Sequence, residues 1–196
     1  MIIFKRFKVR SLTKKLNAMQ KNRSLNQVSD EMLIKERAMY HQLAKLYRGL
    51  IGSKKVPFAN EMIWECYRAA ATIDDANAQY LLAQHLVEEG KLRQQLQKDG
   101  LFASPSNERR CKQLFEEAHA YLSAAEALRH IEAKRLRGLC YINGWGVDVD
   151  QEKGFELVVD SIDQENSWDR VPQIFASIGL NKPEFFAALT KRRKSL

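Results

Sequence analysis

Two short residue blocks recur along the chain, and this internal repeat limits the possible folds more than any other feature of the sequence. In the first block, a small residue is followed three positions later by a large one. It occurs three times, as Ala44 with Tyr47, Ala83 with Leu86, and Gly138 with Tyr141. The second block interleaves with the first, as Tyr67 before Ala70, Tyr121 before Ala124 and, in weaker form, at positions 158–162. Such a period predicts a row of repeated supersecondary units.

The interleaved blocks predict pairs of helices. No stretch alternates apolar and polar residues as a strand does, so each unit is predicted to have a first helix with the first block and a second helix with the second. Small residues let helix axes approach to about 8 Å, which makes Ala44, Ala83 and Gly138 predicted helix contacts. The predicted fold class is all-α. It is a short α-solenoid of about three helix pairs within residues 28–190, with units at about 36–72, 75–128 and 131–168 and a capping helix at 170–190.

The third unit contains the clearest turn signals. Gly144 and Gly146 follow Tyr141 at the distance of about one helical turn, where a left-handed glycine ends a helix without a steric penalty. Asp150 then stands where the next helix needs an N-cap, and its carboxylate can accept from exposed backbone amides. Gly154 lies inside that helix, where glycine costs stability relative to alanine. Gly154 therefore predicts either a close approach of two backbones or a locally soft helix, and we favour the close approach.

Two other segments carry weaker helix signals. Residues 91–106 are an insertion in the middle unit and are predicted to lengthen its first helix as far as Gly100, with Ser106 or Asn107 capping the following helix. Near the C-terminus, Asn181 and Glu184 have the spacing of a capping box and predict the start of the last helix there.

Residues 133–153 resemble the Sel1-like repeat, a relative of the tetratricopeptide repeat. The hallmark positions are occupied by Gly138, Tyr141, Gly144, Gly146, Val147, Asp150 and Lys153. The first two units resemble the repeat only through their small residues, the Tyr or Leu of the first block, and Gly90. Arg137, Gly154 and Ser161 depart from it and predict looser packing in the third unit. The resemblance implies a scaffold protein that assembles larger complexes, including bacterial envelope and secretion machines.

Positive charge is concentrated at the two ends of the chain, which has 32 bases in total. Residues 1–27 are predicted to form a basic amphipathic arm. Residues 22–29 read as a polar linker at its end, the next helix is predicted to start at Ser29, and residues 191–196 are a basic tail. The candidate binding cations of the arm are Lys5, Arg6, Lys8, Arg10, Lys14 and Lys15. Such an arm suits an acidic protein, an anionic membrane or nucleic-acid phosphates, and the alternative is a disordered solubilising segment.

The sequence offers no pattern typical of a catalytic or metal site. The four histidines are scattered, and none has the spacing of a metal ligand set. Asp148, Asp150 and Glu152 resemble the start of a calcium loop, but Lys153 replaces its required glycine. Cys66 and Cys140 occupy apolar positions of the repeat and are predicted core residues. We therefore predict no catalytic residues, no metal and no cofactor.

The leading functional hypothesis is a non-enzymatic adaptor or scaffold subunit whose solenoid surface holds a partner protein, since solenoids present extended surfaces. The alternative is binding of an anionic membrane or of nucleic acid through the basic arm. Interface anchors are commonly aromatic or arginine side chains, and the candidates are Tyr40, Arg48, Tyr80 and Arg135. The odd number and wide spacing of the three cysteines, together with the lack of an apolar span, predict a cytoplasmic protein. The arm also allows a peripheral position at the inner face of a membrane.

Overall fold

The structure, a computed structural model, describes residues 2–25 and 29–193 and is all-helical over that part of the chain. The helices are α1 (Ile2–Leu25), α2 (Asp30–Arg48), α3 (Ala59–Ala71), α4 (Ala76–Lys98), α5 (Pro105–Ala127), α6 (Ile131–Asn143), α7 (Gln151–Glu165), α8 (Val171–Ser177) and α9 (Pro183–Arg193). A 3₁₀ turn at Trp168–Arg170 precedes α8. The predicted all-α class is confirmed. None of the described helices is long and apolar enough to cross a membrane.

The helix count exceeds the three predicted pairs. The predicted units coincide with α2 and α3, α4 and α5, and α6 and α7, whereas α1, α8 and α9 are additional. The predicted single capping helix is in fact the 3₁₀ turn with two short helices, because Gly179 adopts a left-handed conformation (φ +76°) that ends α8. The chain divides into two compact units, residues 1–82 and 83–196, with α4 beginning in the first and continuing in the second.

The first unit consists of α1, α2, α3 and the start of α4. Its core includes Leu43, Ala44, Ile63 and Ala70, each at most 5% exposed. Helix α1 packs along α2 and buries Leu16, which is 2% exposed. The predicted polar linker is therefore partly wrong, because α1 continues through residues 22–25. Residues 26–28 lie outside the described residues.

The second unit contains the rest of α4 and the helices α5 to α9. Helices α6 and α7 pack closely along each other, and α5 contacts α6. One cluster of buried side chains joins α6 and α7 to α8. Its members include Leu139, Val158, Ile162, Val171, Ile174 and Phe175. Phenylalanines of α9 also pack against this cluster.

The helix caps confirm two predictions and correct two others. Asp150 Oδ1 accepts a hydrogen bond from the Lys153 amide at 2.9 Å, and Ser29 Oγ caps α2 in the same way. Neither Ser106 nor Asn107 caps α5, since the helix begins at Pro105 and Ser104 is its cap. Proline has no amide hydrogen to satisfy and favours the first helical position. For the same reason α9 begins at Pro183, so the predicted start at Asn181 is wrong.

Candidate functional site

The small residues of the repeat are buried with one exception. Ala44, Ala70 and Ala83 have no exposed surface, and Gly138 is also buried. Ala124, which belongs to the second sequence block, is exposed. The next residue, Ala125, has no exposed surface and takes the buried position. Because each residue of a helix is rotated by about 100° from the last, a shift of one position moves the contact to a different side chain.

Gly138 of α6 and Gly154 of α7 lie directly opposite each other. A Cβ atom added to either glycine would lie 2.6 Å from the backbone oxygen of the other. Real side chains do not approach a carbonyl so closely, so both positions are restricted to glycine at this helix separation. The prediction of a close backbone approach at Gly154 is confirmed.

The turn after α6 is held against α5 through backbone atoms. Gly144 ends α6 with a left-handed conformation (φ 70°), as predicted. Gly146 is also left-handed (φ 73°), and a Cβ atom there would clash with the backbone carbonyl of Phe115. Trp145, between the two glycines, stacks on the Phe115 ring at a centroid distance of 5.9 Å. The glycines of the repeat therefore place this turn on α5.

Phe115 was not singled out from the sequence, although it is the centre of this arrangement. It is 5% exposed, and its ring faces Gly90 of α4, where a Cβ atom would lie 2.6 Å from the ring. Gly90 is thus the only signal in the sequence that points to a large side chain at this place. The spacing of Gly90 and Phe115 in the chain gives no indication that they meet.

The two tyrosines of the first block have different surroundings. Tyr47 is 8% exposed, and burial raises the pKa of its hydroxyl. Tyr141 lies between two cations, with Lys153 Nζ 4.2 Å and the Arg137 guanidinium 5.6 Å from its ring centre. A hydrogen bond with Lys153 lowers the pKa of the Tyr141 hydroxyl. Arg137 also forms an ion pair of 2.6 Å with Glu126, which explains why arginine is accommodated where the Sel1-like pattern has leucine.

A groove of about 580 Å³ opens beside this turn, within the second unit. Phe115 and Val147 contribute apolar surface, and Gly144 and Gly146 form part of the wall. Most of its charged side chains are acidic and exposed, namely Glu108, Glu116 and Asp148, against the single base Lys112. Lys112 lies 3.8 Å from Glu116, so part of its charge is already matched. The groove therefore combines an apolar surface with a net negative rim. We refer to it as the acidic groove.

Two cysteines and two histidines occupy structural positions. Cys66 and Cys140 are buried as predicted, and desolvation by burial raises the pKa of each thiol to about 12. His41 contacts Asp75, which caps α4, and His130 Nδ1 accepts a hydrogen bond from the backbone at the start of α6. Among the described residues, no three His, Cys, Asp or Glu side chains are grouped closely enough to hold a metal ion.

The four predicted interface anchors are not equally available. Tyr40 is 5% exposed and its hydroxyl is hydrogen-bonded between α1 and α2, so its prediction as an anchor is wrong. Arg135 lies 2.6 Å from Glu165, whose pKa it lowers through this hydrogen bond, and is engaged within the second unit. Tyr80 is half-buried. Arg48 is exposed, although one of its nitrogens donates to a tyrosine of α3 at 3.1 Å.

The cations of the predicted arm lie on a helix that is packed on α2. Lys5 is half-buried and donates to the backbone oxygen of Gly49 at 3.2 Å, and Arg6 is also half-buried. The other four candidates are exposed: Lys8, Arg10, Lys14 and Lys15. Only part of the predicted set therefore faces solvent.

Comparison with known proteins does not confirm the resemblance to Sel1-like repeats. No protein-family model matches the sequence, and no curated protein is significantly similar to it.

Proposed function

We propose that this chain is a non-enzymatic adaptor, a scaffold subunit of a larger complex built as a short solenoid of Sel1-like helix pairs. The single observation that carries the proposal is the acidic groove beside the turn at residues 144–150. The residues that match the Sel1-like pattern support the repeat assignment, since Gly138, Gly144, Gly146 and Asp150 serve as helix contact, helix end, turn contact and helix cap.

The chemistry of the groove favours one kind of occupant. Its rim carries three carboxylates and one ammonium group, and its surface includes the apolar side chains of Phe115 and Val147. A partner segment with lysine or arginine beside an apolar residue complements both features, because opposite charges steer and orient association. We therefore expect a basic segment of a partner protein to bind there.

The turn that supplies part of the groove wall, at Gly144 and Gly146, is fixed against α5 and suits binding without rearrangement. Gly146 contacts the backbone of Phe115, and Trp145 is fixed by stacking on the Phe115 ring. Lys91 Nζ lies 5.2 Å from the Trp145 ring centre and covers that side chain further. A preformed surface loses less conformational entropy on binding than a mobile one.

The environment of the cysteines supports a non-catalytic role. A thiol must ionise to act as a nucleophile, and a pKa of about 12 keeps Cys66 and Cys140 protonated at neutral pH. Cys111 lines the groove, and burial raises the pKa of its thiol as well. Each of these thiols serves better as packing than as a reactive group.

Selection from a library of short random peptides tests the proposal with the full-length protein. We expect the selected peptides to be enriched in lysine or arginine next to an apolar residue. Their affinity should fall at least tenfold in the double variant Glu116→Lys and Asp148→Lys, which reverses two rim charges. Hydrogen exchange should show protection at residues 108–116 and 144–150 when the peptide is bound.

A matched control is available on α3. Glu61→Lys with Glu65→Lys makes the same change in net charge at two exposed positions of the first unit. Glu65 lies in a weak exposed ion pair with Arg68, as Glu116 does with Lys112. The control should retain the peptide affinity. Selection of peptides without basic residues, or an equal loss of affinity in the control, would overturn the proposed role of the groove.

A further inference from the structure

Helix α1 has two faces, and only one of them is used by the fold. On the inner face, Leu16 is buried against α2, and Gln20 donates to the Tyr40 hydroxyl at 2.6 Å. Arg23 lies 3.8 Å from the buried carboxylate of Glu36. These contacts run from one end of α1 to the other, together with the hydrogen bond from Lys5 to α2. They fix the rotation of the helix about its axis.

The outer face begins with large apolar side chains that remain exposed. Ile3 is 78% exposed, Phe4 63% and Phe7 71%. On a helix, residues three and four positions apart share a face, so these three side chains form one patch at the N-terminal end of α1. An apolar group of this size left in water is unfavourable and commonly marks an interaction site.

Cations surround and continue this apolar patch. Lys8 Nζ lies 4.8 Å from the Phe4 ring centre, and Lys14 and Lys15 are exposed further along the helix. The sequence of α1 contains eight bases and no acid. The outer face therefore has strong positive charge with no negative partner on its own helix.

A second basic and apolar segment begins beside the start of α1. The hydrogen bond from Lys5 Nζ to the Gly49 oxygen brings the helix against the loop that joins α2 and α3. This loop carries exposed Ile51 and Phe58, at 56% and 67%, and its two adjacent lysines are exposed as well. The loop that α1 contacts therefore also combines exposed lysines with exposed apolar side chains.

We propose that the outer face of α1 docks this protein onto the surface of an anionic lipid bilayer. Ile3, Phe4 and Phe7 would enter the boundary between headgroups and acyl chains, while the lysines remain among the lipid phosphates. Helices that lie in a membrane surface combine an apolar entry with basic residues in this way. Long lysine side chains extend from an apolar level to the polar headgroups. This site is separate from the acidic groove and does not depend on it.

The apolar patch is what favours a membrane over nucleic acid. Phosphate contacts account for lysines, and nucleic acid also attracts them. Three exposed aliphatic and aromatic side chains at one end of the helix gain burial in a bilayer, whereas contact with a phosphate backbone leaves them in water. Two weak contributions, one apolar and one electrostatic, are also what stable membrane attachment generally requires.

Vesicle co-sedimentation of the full-length protein tests this proposal. We expect binding to phosphatidylcholine vesicles that contain about 30% phosphatidylserine, as on an anionic membrane surface. Binding to pure phosphatidylcholine should be at least tenfold weaker, and salt well above 0.15 M should weaken it by screening. Each near-surface cation contributes about fivefold to the partition coefficient. Lys14→Ala with Lys15→Ala should therefore reduce binding about 25-fold.

The apolar contribution has its own variant and control. Phe4→Ser with Phe7→Ser changes two exposed side chains and should reduce vesicle binding at least tenfold while leaving the helical circular dichroism unchanged. Leu101→Ser with Phe102→Ser changes two similarly exposed apolar residues of the second unit, at 69% and 63%, and should leave binding unchanged. Arg109→Ala with Arg110→Ala is the corresponding charge control on α5, and both residues are exposed.

Three outcomes would overturn the proposal. One is equal binding to neutral and anionic vesicles. Another is loss of binding in the second-unit controls to the same degree as in the α1 variants. The third is binding to a DNA duplex or a single-stranded RNA that is tighter than vesicle binding and unaffected by Phe4→Ser with Phe7→Ser. Peptide binding by the acidic groove is measured without lipid, so either proposal can fail while the other holds.

Discussion

The first and third helix pairs solve the same packing problem with different residues. In α2 and α3 the buried small residues are alanines, Ala44 and Ala70, and a long loop at residues 49–58 joins the helices. In α6 and α7 they are glycines, Gly138 and Gly154, and a shorter turn at residues 144–150 contains two left-handed glycines. The difference shows that a small residue at the contact of a helix pair marks either a tolerant packing position or a direct backbone contact.

Among the variants that test this comparison, Gly146→Ala should lose the most stability. The new Cβ atom would meet the Phe115 carbonyl, which belongs to a helix and cannot move aside as a side chain can. The left-handed conformation adds a further penalty for any residue with a Cβ atom. The clash and the conformational penalty together should lower the free energy of unfolding by about 3 kcal/mol. Urea denaturation at neutral pH measures this loss.

Gly100→Ala separates the two causes of that loss. Gly100 is also left-handed (φ +76°) and lies in the same unit, but nothing lies within 4 Å of an added Cβ atom. It should lose only the conformational part, about 1 kcal/mol. Equal losses at the two positions would mean that the contact between the turn and α5 contributes nothing to stability.

The second prediction concerns opposite substitutions in the first and third helix pairs and their effect on stability. Alanine is better than glycine inside a helix by about 1 kcal/mol, so Ala44→Gly in α2 should destabilise the protein by at least that amount. Judged by helix propensity alone, Gly138→Ala in α6 should stabilise the protein. Because the added Cβ atom would lie 2.6 Å from the Gly154 oxygen, we expect instead a net loss of about 2 kcal/mol.

The sign of the Gly138→Ala effect distinguishes the two explanations of a small residue. A gain in the free energy of unfolding would show that α6 and α7 separate easily and that the glycine pair is not needed for their contact. Hydrogen exchange of the α6 amides provides a second measurement. It should accelerate more in Gly138→Ala than in Gly100→Ala, whose substitution lies outside the helix pair and lowers only the overall stability.

The comparison also shows what the sequence reveals about the fold and what it leaves hidden. The helices and the cap at Asp150 were predictable because each depends on neighbours within one helix or one turn. The contact at Gly154 was predictable because a glycine inside a helix is unfavourable unless another backbone lies close. The burial of Ala125 instead of Ala124 was not, since it depends on the rotation of α5 against its neighbours. The same holds for Tyr40, whose aromatic character fits an interface anchor and a core residue equally well.

The candidate sites were predictable only in part. The charge of the N-terminal segment was evident, but its division into an inner and an outer face was not, because the inner contacts of Leu16 and Gln20 are made with α2. The acidic groove was missed entirely. Its rim residues come from α5 and from the turn after α6, and no local pattern reports that Glu116 and Asp148 line one surface.

The third and smallest prediction compares one helix cap from each unit. Asp75 is 8% exposed, and its carboxylate accepts from the Ala78 amide at 2.8 Å and contacts His41 Nε2 at 2.8 Å. Asp150 is exposed, and its carboxylate accepts from the amide of Lys153 as the one side-chain contact described for it. Alanine at either position should cost about 1 kcal/mol, since it removes the cap. Asparagine retains the cap and removes the charge.

The asparagine variants should therefore differ between the two units. Burial acts to raise the pKa of the Asp75 carboxyl, but the hydrogen bonds with His41 and the Ala78 amide outweigh it and lower the pKa. A lowered carboxyl pKa stabilises the fold fully above the ordinary value of about 4, and this stabilisation disappears as the pH falls through the lowered value. We expect Asp75→Asn to cost about 1 kcal/mol at pH 7 and progressively less below about pH 4, in urea denaturation at a series of pH values. Asp150→Asn should cost almost nothing at any of them, because asparagine and aspartate cap an exposed helix end almost equally well. If both variants showed the same pH dependence, the contact between Asp75 and His41 would not be the source of the difference between the two units.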